Sequence, residues 1–149
     1  MSLFEEEMSQ KIMTFIEKLG YFPLVQVPHF MGSIDFVGIS ATESIVIESK
    51  ISKWRGALKQ AIRYGYGSEK AYVALPTPIA TYVAKNFREQ FLRYGIGLIE
   101  VDEFNASILI ECEYKMPSSV FKQIILNEAQ SRLYKSSERI AEFTGRFAT

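Results

Sequence analysis

The chain has 149 residues, equal numbers of basic and acidic residues and a single cysteine, which excludes a polycation and an internal disulfide. Nearly half of its residues are apolar, so we expect one packed domain over residues 1–149 rather than disorder. No apolar run approaches the ~20 residues of a membrane helix, the acidic start resembles no signal peptide, and the lone Cys112 fits a reducing cytoplasm, so we expect a cytoplasmic protein with no membrane partner.

The first half of the chain alternates between helical and extended patterns. Helical spacing of apolar residues predicts a helix over Leu3–Leu19 that ends at Gly20. Extended patterns and then a helical one predict, in order, strands over Phe22–Val27, Ser33–Ile39 and Ser44–Lys50, a helix over about Lys53–Tyr66 and a strand over Ala71–Leu75. The polar segment between Ile39 and Ser44 has the length of a hairpin turn.

The second half continues with a helix, a hairpin and a long helix. The predicted ranges are Ile79–Tyr94 for the helix, Gly97–Val101 and Ser107–Tyr114 for the hairpin, and Ser118 to about Arg146 for the last helix. The hairpin in the first half and the helical crossover that follows it predict an α/β fold, a mixed central sheet flanked by helices.

Two acidic residues and a lysine are predicted to converge on this sheet. Alternation along the third strand places Glu48 and Lys50 on one face. A turn between the second and third strands places Asp35 opposite the stretch Glu48–Lys50, and paired residues lie ~5 Å apart. Carboxylates this close repel unless a proton or cation lies between them. Oxygen ligands favour a hard divalent ion such as Mg²⁺ or Mn²⁺.

The runs Gly32-Ser33-Ile34-Asp35, Ile47-Glu48-Ser49-Lys50 and Gln60-Ala61-Ile62-Arg63-Tyr64 resemble the PD-(D/E)xK nuclease superfamily, whose fold is restriction-endonuclease-like. The trailing Gln-x-x-x-Tyr is similar to the RecB-type branch and to junction-resolvase-like nucleases. The resemblance covers about residues 3–76, leaving residues 77–149 as a C-terminal elaboration.

The resemblance implies a metal-dependent deoxyribonuclease that acts in repair, recombination or defence. It implies Asp35, Glu48 and the Ser49 carbonyl as ligands of Mg²⁺ or Mn²⁺, and Lys50 as the catalytic lysine. Gln60 and Tyr64 would face the site or the nucleic-acid backbone. An acidic residue on the first helix would join the site, and of the three candidates Glu5 projects nearest to the sheet.

A second motif set fails on geometry. Glu113 and Lys115 repeat the Glu-x-Lys pattern, but their only nearby upstream aspartate, Asp102, lies at the predicted hairpin tip. Glu113 follows about six residues beyond the turn, roughly 20 Å away. The two acids are therefore too far apart to share one ion.

Cations are concentrated beside the proposed site. Between Ile51 and Gly67 there is no acidic residue, and the four cations there are Lys53, Arg55, Lys59 and Arg63. A solvated helix face and a phosphate-binding edge for DNA are both compatible with this pattern. The lone histidine, His29, is interpreted as structural. The long last helix makes a homodimer, or membership of a larger nucleic-acid-processing complex, plausible.

Two alternatives to a nuclease stay open at this stage. One is an inactive module on the same fold that binds nucleic acid or assembles with other proteins. The other is a small interaction protein that uses the last helix, with structural acids.

Overall fold

Six strands form one sheet, and their order across the sheet is their order along the chain. The computed structural model describes residues 3–29 and 32–147, with side chains described for 4–29 and 32–135. The strands are β1 (Phe22–His29), β2 (Gly32–Ile39), β3 (Ser44–Ser49), β4 (Lys70–Pro76), β5 (Gly97–Val101) and β6 (Ala106–Ile110). The helices are α1 (Leu3–Lys18), α2 (Trp54–Gly65), α3 (Thr77–Asn86), α4 (Arg88–Tyr94) and α5 (Ser119–Phe147).

The sheet is mixed, as predicted. β1, β2 and β3 pair antiparallel, β4 and β5 run parallel to β3, and β6 returns antiparallel to β5. The parallel pairs follow from the helical crossovers α2 and α3–α4, which return the chain to the same edge of the sheet. This α/β arrangement is consistent with a restriction-endonuclease-like fold, which confirms the predicted fold class.

Helices cover both faces of the sheet, and each face has its own core. On one face, α1 packs Met8, Ile12 and Ile16 against strand residues such as Ile45 and Ile47. On the other face lie apolar residues of α2 to α5, which include Trp54, Ala61, Val83, Phe91 and Ile125. The two central strands are buried along almost their whole length, which explains why their sequences are nearly continuous apolar runs.

The helix predicted over Ile79–Tyr94 is in fact two helices, so that prediction is wrong in detail. The break lies at Phe87, whose φ of −130° and ψ of 21° leave the helical region. Its ring packs on Trp54, with 4.9 Å between the ring centroids. The first of the two helices also begins earlier, at Thr77, since Pro78 fits the first helical turn, where no amide donor is needed.

The last strand is shorter than predicted. It ends at Ile110 rather than at Tyr114, because the following backbone bonds to loops instead of to β5. The Glu113 amide donates to the Gly95 carbonyl at 3.0 Å, and the Lys115 amide donates to the Glu69 carbonyl at 2.9 Å. Among the described residues, no helix combines the length and apolar character needed to cross a membrane.

The close approach of α1 to the sheet depends on Gly38. A Cβ at this position would lie 2.6 Å from Ile45, 2.8 Å from Ile16 and 2.9 Å from Tyr21. We therefore expect Gly38→Ala to lower the free energy of unfolding by about 1–3 kcal/mol, as overpacking of a core does. Urea denaturation measures the change.

The matched control is Gly56→Ala on α2, where a Cβ would meet nothing within 4 Å. It should be neutral or stabilising by up to about 1 kcal/mol, because alanine favours the helix. Equal effects of the two substitutions would contradict the packing assigned to α1.

Candidate metal site

Asp35 and Glu48 lie opposite each other where β2 and β3 separate. The last backbone pair before this point is Phe36 with Ile47. Beyond it, the Asp35 amide donates to Glu48 Oε1 at 3.1 Å, and the Ser49 amide donates to Asp35 Oδ2 at 3.0 Å. Each carboxylate thus accepts a hydrogen bond from the neighbouring strand. The structure thus brings Asp35 together with Glu48 and Ser49, at the register predicted from the turn.

The Glu48 carboxyl group is almost completely removed from solvent, with 1% of the residue exposed. Burial, and secondarily the charge of Asp35, raise its pKa to about 9. The charge of Lys50 acts in the opposite direction. Two carboxyl groups this close need a proton or a cation between them, so the pair has the electrostatic character of a cation site.

A cleft of about 400 Å³ opens over Asp35. Its lining includes Asp35, Ser49, Lys50 and Lys53, and α1 contributes Glu5. Glu48 is buried and does not line the cleft. Because β3 ends at Ser49, strand alternation does not orient Lys50, which is exposed and reaches the cleft from the following turn.

Glu5 is the acid of the first helix that faces this cleft, while Glu7 borders a different depression on α1. Within the described part of the chain, however, no group of three or more acidic, histidine or cysteine side chains lies close enough to hold a metal. Glu5 therefore shares the cleft without meeting the Asp35–Glu48 pair. The two carboxylates supply oxygen donors, the kind of ligand that a hard divalent cation prefers.

Tyr64 approaches the carboxylates from α2. Burial and then the charge of Glu48 raise the pKa of the Tyr64 phenol. The phenol oxygen also fills the space where a Cβ at Gly32 would lie, 2.6 Å away. Gln60, one turn earlier on α2, has a buried amide oxygen with no hydrogen-bond partner among the described residues.

The four cations of the predicted DNA-binding stripe have different surroundings. Lys53 lines the cleft. Arg55 lies over the rings of Trp54 and Phe87, 4.4 Å and 4.9 Å from their centroids. Lys59 and Arg63 border a separate groove. All four cations are exposed to solvent, but of the four only Lys53 lines the cleft beside Asp35.

A kink in β1 lies beside the site and was not predicted from the sequence. Gln26 has φ 48°, the only positive φ at a non-glycine position among the described residues. Strand pairing is regular on both sides of it, with Val25 opposite Phe36 and Val27 opposite Ile34, and Asp35 lies between those partners. Such a backbone costs on the order of 1–2 kcal/mol, so other contacts must hold it.

Arg132 of α5 supplies those contacts. Its guanidinium donates to the Val25 carbonyl at 2.6 Å and to the Gln26 carbonyl at 2.8 Å, and Glu128 accepts from its Nε at 3.0 Å. Sequence reasoning missed this clamp, although one signal existed. The buried residues Leu24 and Val27 are three apart, which breaks the two-residue alternation of a regular strand.

His29 is buried between two rings, as its structural interpretation requires. Its ring stacks on Phe121 with 5.6 Å between centroids and meets Tyr64 edge-on at 5.2 Å. Burial lowers its pKa. The second motif set is dispersed: the Asp102 carboxylate accepts bonds from Phe104 and Asn105 within its own hairpin turn.

Fold and site together define an α/β protein with a restriction-endonuclease-like sheet and a buried carboxylate pair. Its fold is similar to that of SPO1766, a protein of unknown function from Silicibacter pomeroyi, with 16% identity and a TM-score of 0.66 over 93% of this chain and 91% of that chain. SfsA from Pyrococcus furiosus, solved in complex with Ca²⁺, is similar at 11% identity and a TM-score of 0.46 over 75% of this chain and 65% of that chain.

The similarity to SPO1766 shows the fold alone, and the similarity to SfsA is too weak to bear on function. No protein-family description and no curated protein sequence matches the chain.

Replacing Glu48 with Gln should stabilise the metal-free protein. Gln keeps an acceptor for the Asp35 amide but is always neutral, so it avoids the cost that burial, and secondarily the charge of Asp35, impose on an ionisable group at this position. Because the folded pKa of about 9 lies above the ordinary 4.5, the wild type loses stability as pH rises through that interval. The advantage of Glu48→Gln should therefore be larger at about pH 8 than at about pH 5, measured by urea denaturation in EDTA.

Glu43→Gln is the control with the opposite sign. Its carboxylate accepts a hydrogen bond from Tyr21, which lowers its pKa. This substitution should reduce stability at both pH values. A Glu48→Gln protein less stable than wild type at pH 8 would contradict the raised pKa of Glu48.

Proposed function

We propose that this protein is a metal-dependent nuclease that hydrolyses phosphodiester bonds of DNA. The observation that supports this most strongly is the pair of hydrogen bonds that holds the two carboxylates together, from the Asp35 amide to Glu48 and from the Ser49 amide to Asp35. Asp35, Ser49 and Lys50 line the cleft beside the pair. A carboxylate pair that is half-buried or buried, electrostatically strained and adjacent to a cleft is typical of a functional site rather than of surface decoration.

Asp35, Glu48 and the Ser49 carbonyl would hold Mg²⁺ or Mn²⁺, with Glu5 approaching across the cleft. When bound, such an ion polarises the phosphodiester and lowers the pKa of a coordinated water. The hydrogen bonds from the Asp35 and Ser49 amides use one oxygen of each carboxylate. They also fix the orientation of both groups, which reduces the reorganisation that binding requires.

Lys50 is an exposed cation whose charge acts on Glu48. Its ammonium group would hold the attacking water or stabilise negative charge on the phosphate. Tyr64 would fix Glu48 from the α2 side, and the unpartnered amide oxygen of Gln60 would accept a hydrogen bond from a site water or the substrate. Lys53, and beyond it the cations Arg55, Lys59 and Arg63, would draw the DNA backbone toward the cleft.

The runner-up is an inactive DNA-binding or assembly module on the same fold. The absence of a three-residue ligand cluster among the described residues favours it, as does the burial of Glu48 outside the lining of the cleft. A measurement of metal binding distinguishes the nuclease from the inactive module, since a module without activity has no need to retain an ion.

Mn²⁺ should raise the melting temperature of the wild-type protein. A ligand at a hundred times its dissociation constant stabilises the folded state by about 2.7 kcal/mol. Asp35→Ala should abolish the shift, because it removes one of the two carboxylates. Asp102→Ala, which alters only a hairpin turn, should preserve it. An equal Mn²⁺ shift in Asp35→Ala and wild type would place the ion elsewhere.

Lys50→Ala should reduce DNA cleavage by roughly 10²-fold or more while leaving the melting temperature unchanged, because Lys50 is exposed. The assay measures cleavage of single-stranded, duplex and branched DNA with Mg²⁺ or Mn²⁺. Lys85→Ala is the matched control, as this lysine is exposed on α3 away from the cleft. Equal activity of both variants and wild type would remove Lys50 from the mechanism.

A further inference from the structure

A second concave surface lies outside the carboxylate cleft, where three helices meet. This surface, the aromatic groove, has a volume of about 620 Å³ and is lined by Lys59, Ile62, Arg63, Tyr66, Tyr94 and Phe121. Its residues come from α2, from the turn after α2, from the end of α4 and from the start of α5. Nothing in the carboxylate chemistry accounts for it.

Two tyrosine rings are presented to solvent at this groove. Tyr66 is 61% exposed and Tyr94 is 44% exposed, and neither ring stacks on another aromatic ring among the described residues. Their backbones are nevertheless held in place. The Ser118 amide donates to the Tyr66 carbonyl at 2.7 Å, and Lys115 Nζ donates to the Tyr94 carbonyl at 2.5 Å. The backbone that carries each ring is therefore anchored, which lowers the entropic cost of stacking a ligand there.

The charge of the groove is positive. Lys59 and Arg63 are exposed on its α2 side, no carboxylate lines it, and neither cation forms an ion pair within the described part of the chain. A groove that binds an apolar protein partner would be lined by aliphatic side chains and would carry no exposed cations. Exposed aromatic faces beside unpaired cations instead match a ligand with flat rings and a polyanionic backbone.

We propose that the aromatic groove binds single-stranded nucleic acid, with bases stacked on Tyr66 and Tyr94 and phosphates paired with Lys59 and Arg63. A duplex keeps its bases stacked on one another, so only an unpaired strand offers its rings to both tyrosines.

The groove is connected to the carboxylate pair through ring contacts. Phe121, at the groove, stacks on His29, and His29 contacts Tyr64. Burial, and then the charges of Glu48 and Asp35, raise the pKa of the Tyr64 phenol, so Tyr64 lies within electrostatic reach of the pair. This proposal rests on the proposed function in assigning the groove to substrate: an unpaired segment of DNA would be held there while the cleft acts on the same molecule.

The test measures fluorescence anisotropy of a labelled oligo-dT strand and of a duplex of equal length, with the full chain in EDTA so that no cleavage occurs. Wild type should bind the single strand more tightly than the duplex. Tyr66→Ala with Tyr94→Ala should weaken single-strand binding roughly tenfold or more, while the corresponding Phe variants, which keep the rings, should bind as wild type does. In a plot of the logarithm of the binding constant against the logarithm of the salt concentration, removal of Lys59 or Arg63 should lower the magnitude of the slope by about 0.7 per charge.

Tyr82→Ala is the matched control, because Tyr82 is 57% exposed on α3 and lies outside the groove. It should leave binding unchanged. Equal binding by the alanine, phenylalanine and control variants overturns the proposal, as does a groove variant that binds DNA normally but loses a dimer seen for wild type by light scattering. If the double alanine variant fails to fold, single Tyr66→Ala, at the more exposed ring, provides the same comparison.

The two proposals fail separately. A protein that cleaves duplex DNA but binds oligo-dT independently of Tyr66 and Tyr94 retains the nuclease function and loses the groove. A protein that cleaves no DNA but binds oligo-dT through the two tyrosines retains the groove and loses the nuclease function.

Discussion

The site depends on the separation of β2 from β3 at Asp35 and Glu48. Up to Phe36 and Ile47 the two strands bond through their backbones. At the next pair, side-chain carboxylates take over as acceptors for the amides of Asp35 and Ser49. The carboxyl groups therefore complete the strand pairing and at the same time bring two ionisable acids together. Fold and site cannot be altered independently at this point, because each carboxylate serves both.

The opposite side of β2 supports the same feature. β1 kinks at Gln26, between the residues that pair with the neighbours of Asp35. The guanidinium of Arg132 holds the two carbonyls at the kink. Because this contact joins α5 to β1, the C-terminal half of the chain stabilises the backbone on which Asp35 lies. The last helix thereby gains a role in the site, apart from any contact it makes with another molecule.

Much of the site could be predicted from local sequence. The turn between Ile39 and Ser44 is closed by the Ser40 amide bonding to the Glu43 carbonyl at 2.9 Å. Such a short turn fixes the register of the hairpin, so Asp35 had to fall opposite Glu48. Contacts between distant segments could not be predicted in this way. Arg132 lies 106 positions from Gln26, and the break at Phe87 follows from packing against Trp54, which the helical period of the sequence does not reveal.

The aromatic groove also could not be predicted from local sequence. The sequence shows Lys59 and Arg63 as cations on one helix, but the tyrosines that lie beside them come from other elements. The cations that the sequence places along one helix therefore belong to different surfaces. Lys53 lines the cleft, whereas Lys59 and Arg63 line the aromatic groove. The division matters chemically, since phosphate attraction alone supplies no preference for paired or unpaired DNA, whereas exposed ring faces do.

A crystal of the protein soaked in Mn²⁺, with anomalous diffraction recorded to locate the metal, tests the central claim most directly. We expect an anomalous peak coordinated by carboxylate oxygens of Asp35 and Glu48 and by the Ser49 carbonyl. The Mn–O distances should be close to the ~2.1 Å expected of a small, hard divalent cation. A fully soaked crystal with no peak between these carboxylates, or with Mn²⁺ bound only at other acidic residues, would contradict the assignment of a metal site and with it the proposed hydrolysis.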